Sequence, residues 1–309
     1  MAREKKMDRK DLVTRLGQLR EESRRRKEKV EGKHDSGEEP DGVVASKGVV
    51  VYLPLWSGHQ RGIPNEVVRS ALFSVGNRKM KRAYRDSSEI TVIGKGQIRY
   101  RGEELRQDDE DVWLQVLHLA RRQQLGEWVE FSAYGMLREL GWPPHGGSYR
   151  RLRECMERMQ ATTLSVYSER LKEGFSVSLI RKFRWKSEGR GRPERWQVFI
   201  EPEMRELFGD LHYTRIEWEQ RAKLGPLAKW LHGLYASHVH PYPLRVETIR
   251  DGCGSQTRQL RFFKQKLKAA LQELVAVDFL ADWRIDADDV VHVLRKKPPD
   301  PSSKPLPEA

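Results

Sequence analysis

The sequence predicts an α+β, helix-rich chain built as two tandem winged helix-turn-helix domains with disordered termini. Three observations carry this. The order helix, strand, helix, turn, helix, β-hairpin can be read twice; the third helix of the second copy sets an apolar face against a basic one; and both ends are too polar to bury a core. The boundaries that follow are 1–44 for a flexible charged tail, 45–205 for the first winged-helix domain with an N-terminal extension, 206–296 for the second, and 297–309 for a Pro-rich tail.

The runs "EESRRRKEK" and "GKHDSGEEPDG" near the start are dense in charge and poor in large apolar residues, and "KKPPDPSSKPLPEA" at the other end is rich in proline. The first copy opens with a helix over 108–123, with Trp113, Val116, Leu117 and Ala120 on one face. Its leading acids, "DDED", sit where the helix dipole favours them. "WVEF" is a strand, and Ser132 caps a short helix that buries Ala133, Met136, Leu137 and Leu140 and stops at Gly141. After the turn "GWPPHGGS", a helix over 148–160 buries Tyr149, Leu152, Cys155, Met156 and Met159 and exposes Arg150, Arg153, Glu154 and Glu157. The β-branched and aromatic stretches "TTLSVYSE", "FSVSLIRKFRWK" and "RWQVFIE" read as three strands.

The second copy starts at Pro226, well placed as the first residue of a helix whose Leu227, Trp230, Leu231, Leu234 and Tyr235 face inward. "PYPLRV" is extended, "VETIRDG" a short helix, and "GCGS" a turn. Then comes "TRQLRFFKQKLKAALQEL", 257–274, with Thr257 as the N-cap candidate. Leu260, Phe263, Leu267, Ala270, Leu271 and Leu274 recur at steps of three and four and form its core face. The opposite face collects Arg258, Arg261, Phe262, Gln265, Lys268 and Gln272, with Lys264 on the flank. "DFLADWRI" and "VVHVLRK" close the copy as a hairpin around "DADD".

In a winged helix the third helix enters the major groove, and the preceding helix and the wing hold phosphates. Arg258, Arg261 and Gln265 are therefore the expected base readers, since arginine matches guanine O6/N7 and glutamine matches adenine N6/N7. Lys264 and Lys268 are the expected phosphate contacts. In the first copy Arg150 and Arg153 share their face with Glu154 and Glu157, so that face should read less tightly or pack on a neighbour. Its hairpin supplies Lys182 and Arg184, and the following loop Arg190 and Arg192. Taken alone, the basic helix also fits a membrane-surface or partner-groove helix, or a plain core helix with a basic exposed side.

The whole chain narrows the classes. Across 309 residues, 58 Lys plus Arg against 45 Asp plus Glu leave a net charge of +13, which suits a polyanionic partner. Cys155 and Cys253 stand 98 positions apart and indicate neither a disulfide framework nor a Cys-rich zinc site, in keeping with a reducing cytosol. "MAREKKMDRK" has no secretory apolar run, and the longest apolar stretch, "VVVYLPLW", is eight residues, so neither export nor a membrane span is expected. No phosphate-binding G-x-x-x-x-G-K-[ST] loop occurs, "RIDADDVV" lacks the glycine and distal glutamate of a calcium loop, and no cofactor, metal or catalytic residue is assigned. The strongest enzymatic sign is "HVH" at 238–240, the metal-binding element of rolling-circle nicking endonucleases. Such enzymes also need a nucleophilic tyrosine, and the one tyrosine downstream is Tyr242, held in "PYP". A winged-helix transcriptional repressor is the other rival.

Several stretches resemble the TrfA-type replication initiators of broad-host-range plasmids. They are "RGIPNEVVRSALFSVGNRK" (61–79), "GWPPHGGSYRRLRECMERMQAT" (141–162), "SVSLIRKFR" (176–184), "HYTRIEW" (212–218) and "PYPLRVETIRDGCGS" (241–255), spread over about 50–295. The resemblance implies a non-enzymatic initiator that binds double-stranded repeats (iterons) in a plasmid origin, helps open it, and recruits the host initiator ATPase, replicative helicase and sliding clamp. It also implies a monomer–dimer equilibrium that restrains copy number. Clamp contact in such initiators is attributed to a Q-L-x-L-F-like peptide. "YLPLW", 52–56, has the two leucines and the aromatic end with Tyr52 in place of glutamine, which makes Leu53, Leu55 and Trp56 the clamp-binding candidates. A segment packed on the first domain is the competing expectation.

Overall fold

The computed structural model describes residues 50–77, 80–94, 96–168, 172–186, 195–209 and 212–296. Both expected tails, and the loop arginines Arg190 and Arg192, lie outside the described residues. The chain runs β1 (Gln60–Pro64), α1 (Asn65–Val68), β2 (Phe73–Ser74), β3 (Tyr84–Ile90), β4 (Gln97–Glu103), β5 (Leu105–Arg106), α2 (Gln107–Ala120), β6 (Trp128–Ser132), α3 (Ala133–Glu139) and α4 (Gly146–Gln160). It continues through β7 (Thr163–Ser168), β8 (Glu173–Val177), β9 (Lys182–Lys186), β10 (Arg195–Phe199), α5 (Met204–Phe208), β11 (Tyr213–Glu217), α6 (Trp218–Ala222) and α7 (Pro226–Ala236). The last elements are β12 (Leu244–Arg245), α8 (Val246–Gly252), α9 (Leu260–Ala276), β13 (Leu280–Ile285) and β14 (Val290–Arg295).

One order of elements occurs twice. In the first occurrence α2, β6, α3 and α4 are followed by β9 and β10, which join β6 in the sheet order β6-β10-β9. In the second, α7, β12, α8 and α9 are followed by β13 and β14, in the order β12-β14-β13. Both sheets are antiparallel, with the strand between the first two helices paired to the last strand of the hairpin. Local chemistry places these elements as the residues suggest. Ser132 caps α3 by accepting a hydrogen bond from Gly135 N at 3.0 Å, Gly141 follows α3 at φ +66°, and Pro226 opens α7.

One expected strand departs from the reading. "FSVSLIRKFRWK" is not one strand: it breaks at 178–181, where Leu179 and Ile180 are fully buried and Ser178 Oγ donates to Thr162 O at 3.1 Å. The chain passes through the core there and changes sheets. The hairpin β7–β8 therefore belongs to a four-stranded sheet, β3-β4-β7-β8, inserted between α4 and the hairpin that completes the repeated order. "HVH" lies at a polar helix end and not on the strand that a nicking endonuclease would require: His238, Val239 and His240 follow α7 as a bend. His238 Nδ1 lies 2.9 Å from Leu234 O, so this ring satisfies a carbonyl at the end of the helix.

The apolar core falls into two clusters. One extends from Leu53 to Trp218 around α2, whose Trp113, Leu114 and Leu117 are fully buried; the other gathers Leu224 to Val291 and takes in Ile93. Strand β11, in the part of the sequence assigned to the second domain, pairs antiparallel with β1. Further ties cross between the clusters: Trp230 Nε1 donates to Ser70 O at 2.9 Å, and Arg69 Nε donates to Ser237 Oγ at 2.8 Å. No helix among the described residues is long and apolar enough to cross a membrane.

Candidate nucleic-acid interface

Helix α9 carries the most uniform positive face. Its core side, Phe263, Leu267, Ala270, Leu271 and Leu274, is buried as the periodicity requires. Arg261, Phe262, Gln265, Lys268, Ala269 and Gln272 are exposed on the other side. The helix begins at Leu260, two residues later than Thr257 as cap implies. Thr257 is engaged elsewhere: its N–H donates to Ser255 Oγ at 3.3 Å and its hydroxyl accepts from Lys266 Nζ at 3.0 Å. Gln259 occupies the cap position with extended backbone, and its side chain accepts from Arg261 Nε at 3.1 Å instead of capping.

The later start moves one predicted reader. Arg258 lies in the loop ahead of α9, exposed beside a surface hollow lined with Arg250, Asp251, Ser255 and Gln256, and forms no ion pair with Asp251. Arg261, Gln265 and Lys268 keep their places on the outer face, and the three cations Arg258, Arg261 and Lys268 meet no acid among the described residues. Lys264 departs from the phosphate role expected of it. It forms an ion pair with Asp289, in the β13–β14 turn, and so ties that turn to the flank of the helix. The turn is shaped by Asp286, whose Oδ1 accepts from Asp288 N at 3.1 Å and Val290 N at 2.9 Å.

The corresponding face in the first repeat is spent differently. Arg150 is exposed and lies 3.9 Å from Glu154, one turn on. Arg153 stacks its guanidinium 4.4 Å from the Trp185 ring centre, packing α4 against β9. On the β6-β10-β9 sheet, the register puts Lys182 beside Phe199 and Arg184 beside Gln197. Arg184 stacks 4.3 Å from the Trp128 ring centre and donates to Gln197 Oε1 at 2.7 Å, while Lys182 lies 5.9 Å from the Phe199 ring centre. Both cations remain exposed on the sheet surface, on an aromatic floor that the sequence reading did not foresee.

The clamp candidates require a correction. Leu53 and Trp56 are buried, at 2% and 6% exposure, and only Leu55 is open, at 72%. Trp56 stacks on Phe208, donates Nε1 to His118 Nδ1 at 3.1 Å, and lies so close over Gly62 that a β-carbon there would stand 2.6 Å from its ring. An extended peptide that fills its own core cannot also enter a partner's groove. The "RGIPN" stretch is likewise structural: Arg61 is buried, donates Nε to Gln115 Oε1 at 2.7 Å and lies 4.6 Å from the Trp218 ring centre.

A buried ion network escaped the sequence reading. The four acids "DDED" at the start of α2 are buried, not solvated. Asp109 accepts from Arg82 at 2.6 Å and Arg158 at 2.9 Å; Asp108 accepts from Arg82 at 3.1 Å and Arg151 at 3.3 Å. Arg221 meets Asp111 at 2.8 Å and Glu110 at 3.2 Å, and Lys229 completes the cluster at Asp111. Burial would raise the Asp108 carboxyl, but Arg82 and Arg151 outweigh it and hold that carboxyl below its usual range. Burial raises Glu110 despite Arg221 beside it. A run of acids at a helix start together with a surplus of arginine was the available signal. Among the described residues, no three His, Cys, Asp or Glu side chains are grouped to hold a metal ion.

The TrfA protein family profile matches residues 46–295. The plasmid replication initiator protein TrfA of Escherichia coli is 37% identical over 242 residues, which are 78% of this chain and 63% of that protein. Among solved structures, RctB domains 2–3 superpose with a TM-score of 0.51 at 14% identity, covering 75% of this chain and 96% of that one. A selenomethionine derivative of RctB domains 2 and 3 gives 0.51 at 13% identity, covering 74% and 95%. At these identities the likeness to RctB concerns the fold.

Proposed function

The chain belongs to the TrfA family, and from that premise we propose that it is a plasmid replication initiator that binds repeated double-stranded sites in a plasmid origin within the bacterial cytoplasm. Each repeat of the element order is a winged helix: β9–β10 and β13–β14 are the wings, and α4 and α9 the third helices. The observation that carries the proposal is the outer face of α9, where Arg261, Gln265 and Lys268 stand exposed without an opposing acid. Arg258 approaches the same groove from the preceding loop. Lys182 and Arg184, fixed on their aromatic floor, supply phosphate contacts from the first wing. Lys264 acts through Asp289 by setting the angle of the second wing.

The protein promotes origin opening without a covalent step, recruits the host initiator ATPase and replicative helicase, and exchanges between monomer and dimer. Any contact with a sliding clamp uses residues other than the buried Leu53 and Trp56.

Footprinting on a plasmid origin is expected to protect several equally spaced repeats; one protected palindrome would instead favour a repressor. Arg261→Ala should weaken binding by about 1–3 kcal/mol and relax base preference, whereas Lys268→Ala should weaken all sequences evenly and reduce the salt slope by about 0.9. Unaltered base preference in both Arg258→Ala and Arg261→Ala would refute the assignment of α9. Incubation with supercoiled origin plasmid and Mg²⁺ or Mn²⁺ should leave no protein–DNA adduct; a covalent adduct would establish the nicking endonuclease.

A further inference from the structure

Phe262 is an unusual residue for a polar helix face. It lies in the first turn of α9, 45% exposed, and the Arg261 guanidinium stacks 4.6 Å from its ring centre. Arg261 is itself tethered through Nε to Gln259 Oε1 at 3.1 Å. At 100° per residue, Phe262 lies towards one side of the outer face with the exposed Lys266 beyond it, and Lys264, held by the wing, forms the opposite border. Ala269, two turns on, continues Phe262's side with a side chain too small to shield the ring.

From this placement we infer that Phe262 reads a thymine in the origin repeat through the thymine 5-methyl group. The inference rests on the DNA-binding reading of α9. A phenyl ring can neither donate nor accept a conventional hydrogen bond, and the thymine methyl is the apolar group on base edges in the major groove. Residues in the first turn of a groove-bound helix face base edges. The Gln259–Arg261–Phe262 chain also fixes a pattern: the ring is held beside a guanidinium fork suited to guanine O6/N7. The methyl read by Phe262 therefore belongs to a thymine next to the guanine read by Arg261.

The test uses the full chain and a duplex carrying one protected repeat, with each thymine replaced singly by deoxyuridine, which removes the methyl and nothing else. At one position, adjacent to a guanine, wild-type affinity should fall about fourfold, the worth of one buried methyl-sized group. Phe262→Ala should bind thymine and uracil equally at that position, and Phe262→Leu should keep the preference. A repeat in which no thymine-to-uracil change weakens wild-type binding, or a preference that survives in Phe262→Ala, would overturn the inference. Failure of the underlying reading looks different: Arg258→Ala and Arg261→Ala would then leave base preference unchanged on the unmodified duplex. Because Phe262 is exposed, its variants should retain wild-type affinity for unrelated duplex at low salt, and this separates lost reading from lost folding.

Discussion

Arg221→Met is expected to destabilise the protein by about 3–5 kcal/mol, the largest effect of a single substitution outside the apolar core. Arg221 is 1% exposed, and its guanidinium reaches Asp111, Glu110 and, at 3.1 Å, Gln107 Oε1, more than 100 positions earlier in the sequence. Methionine fills much of the volume but leaves two neighbouring buried carboxylates without their guanidinium. Lys229 still serves Asp111, so the greater loss falls on Glu110, whose carboxyl burial already raises. In a chain of this size such a loss lowers Tm by roughly 6–20 °C. Adding Glu110→Gln and Asp111→Asn to Arg221→Met should recover more than half of the lost stability in urea titrations, since buried polar groups cost less than unpaired charges. A loss below about 1 kcal/mol in Arg221→Met would show that the network does not hold these segments together.

Mild acid should destabilise the protein through two buried histidines. His118 accepts a hydrogen bond from Trp56 Nε1, and burial, then Arg61 and Arg121, lowers its pKa to about 3. His232 sits edge-on to Phe279 with its Nε2 3.3 Å from Gln220 Oε1, and burial, then Arg221 and Arg295, lowers it to about 3 as well. Both are neutral in the folded state, while in the unfolded chain each takes up a proton near pH 6.5. Their contribution is thus fully present above pH 6.5 and is lost as the pH falls towards 3. By pH 5 the pair should have lost about 4 kcal/mol relative to pH 7, from 1.36 kcal/mol per unit per group. The raised carboxyls of Asp109 and Glu110 act in the opposite sense, so the effect is read as a difference between variants. His118→Gln, which preserves an acceptor for Trp56, and His232→Gln should each remove about half of the decline in urea-derived stability between pH 7 and pH 5. An unchanged slope in both variants would rule the mechanism out.

Both expectations concern residues whose roles the sequence did not disclose. "DDED" at a helix start satisfies the dipole rule whether the acids are solvated or buried; the difference lies in where Arg82, Arg151, Arg158 and Arg221 arrive. "YLPLW" suits a docking peptide and a core segment equally well, because each needs leucines and an aromatic ring at that spacing. Phe208 beneath the Trp56 ring and His118 at its indole nitrogen decide between them. Lys264 shows the same limit: its position marks the flank of a basic face, yet Asp289 arrives there only because the hairpin folds back onto the helix.

What the sequence determined by itself was the two faces of α9 and the order of elements from α2 to α4 and from α7 to β14. Both are encoded by neighbours within one or two turns: the apolar spacing of α9, Ser132 as a cap, Pro226 as a first residue and the exposure of Arg261, Gln265 and Lys268. What the tertiary structure alone decided was which groups meet. It placed the sheet change at Leu179 and Ile180, turned an acidic helix start into a buried ion network, and closed the core over Leu53 and Trp56. The physical reason is that periodicity states how much apolar or charged surface a segment must satisfy, whereas the partner that satisfies it is set by packing between residues far apart in the chain.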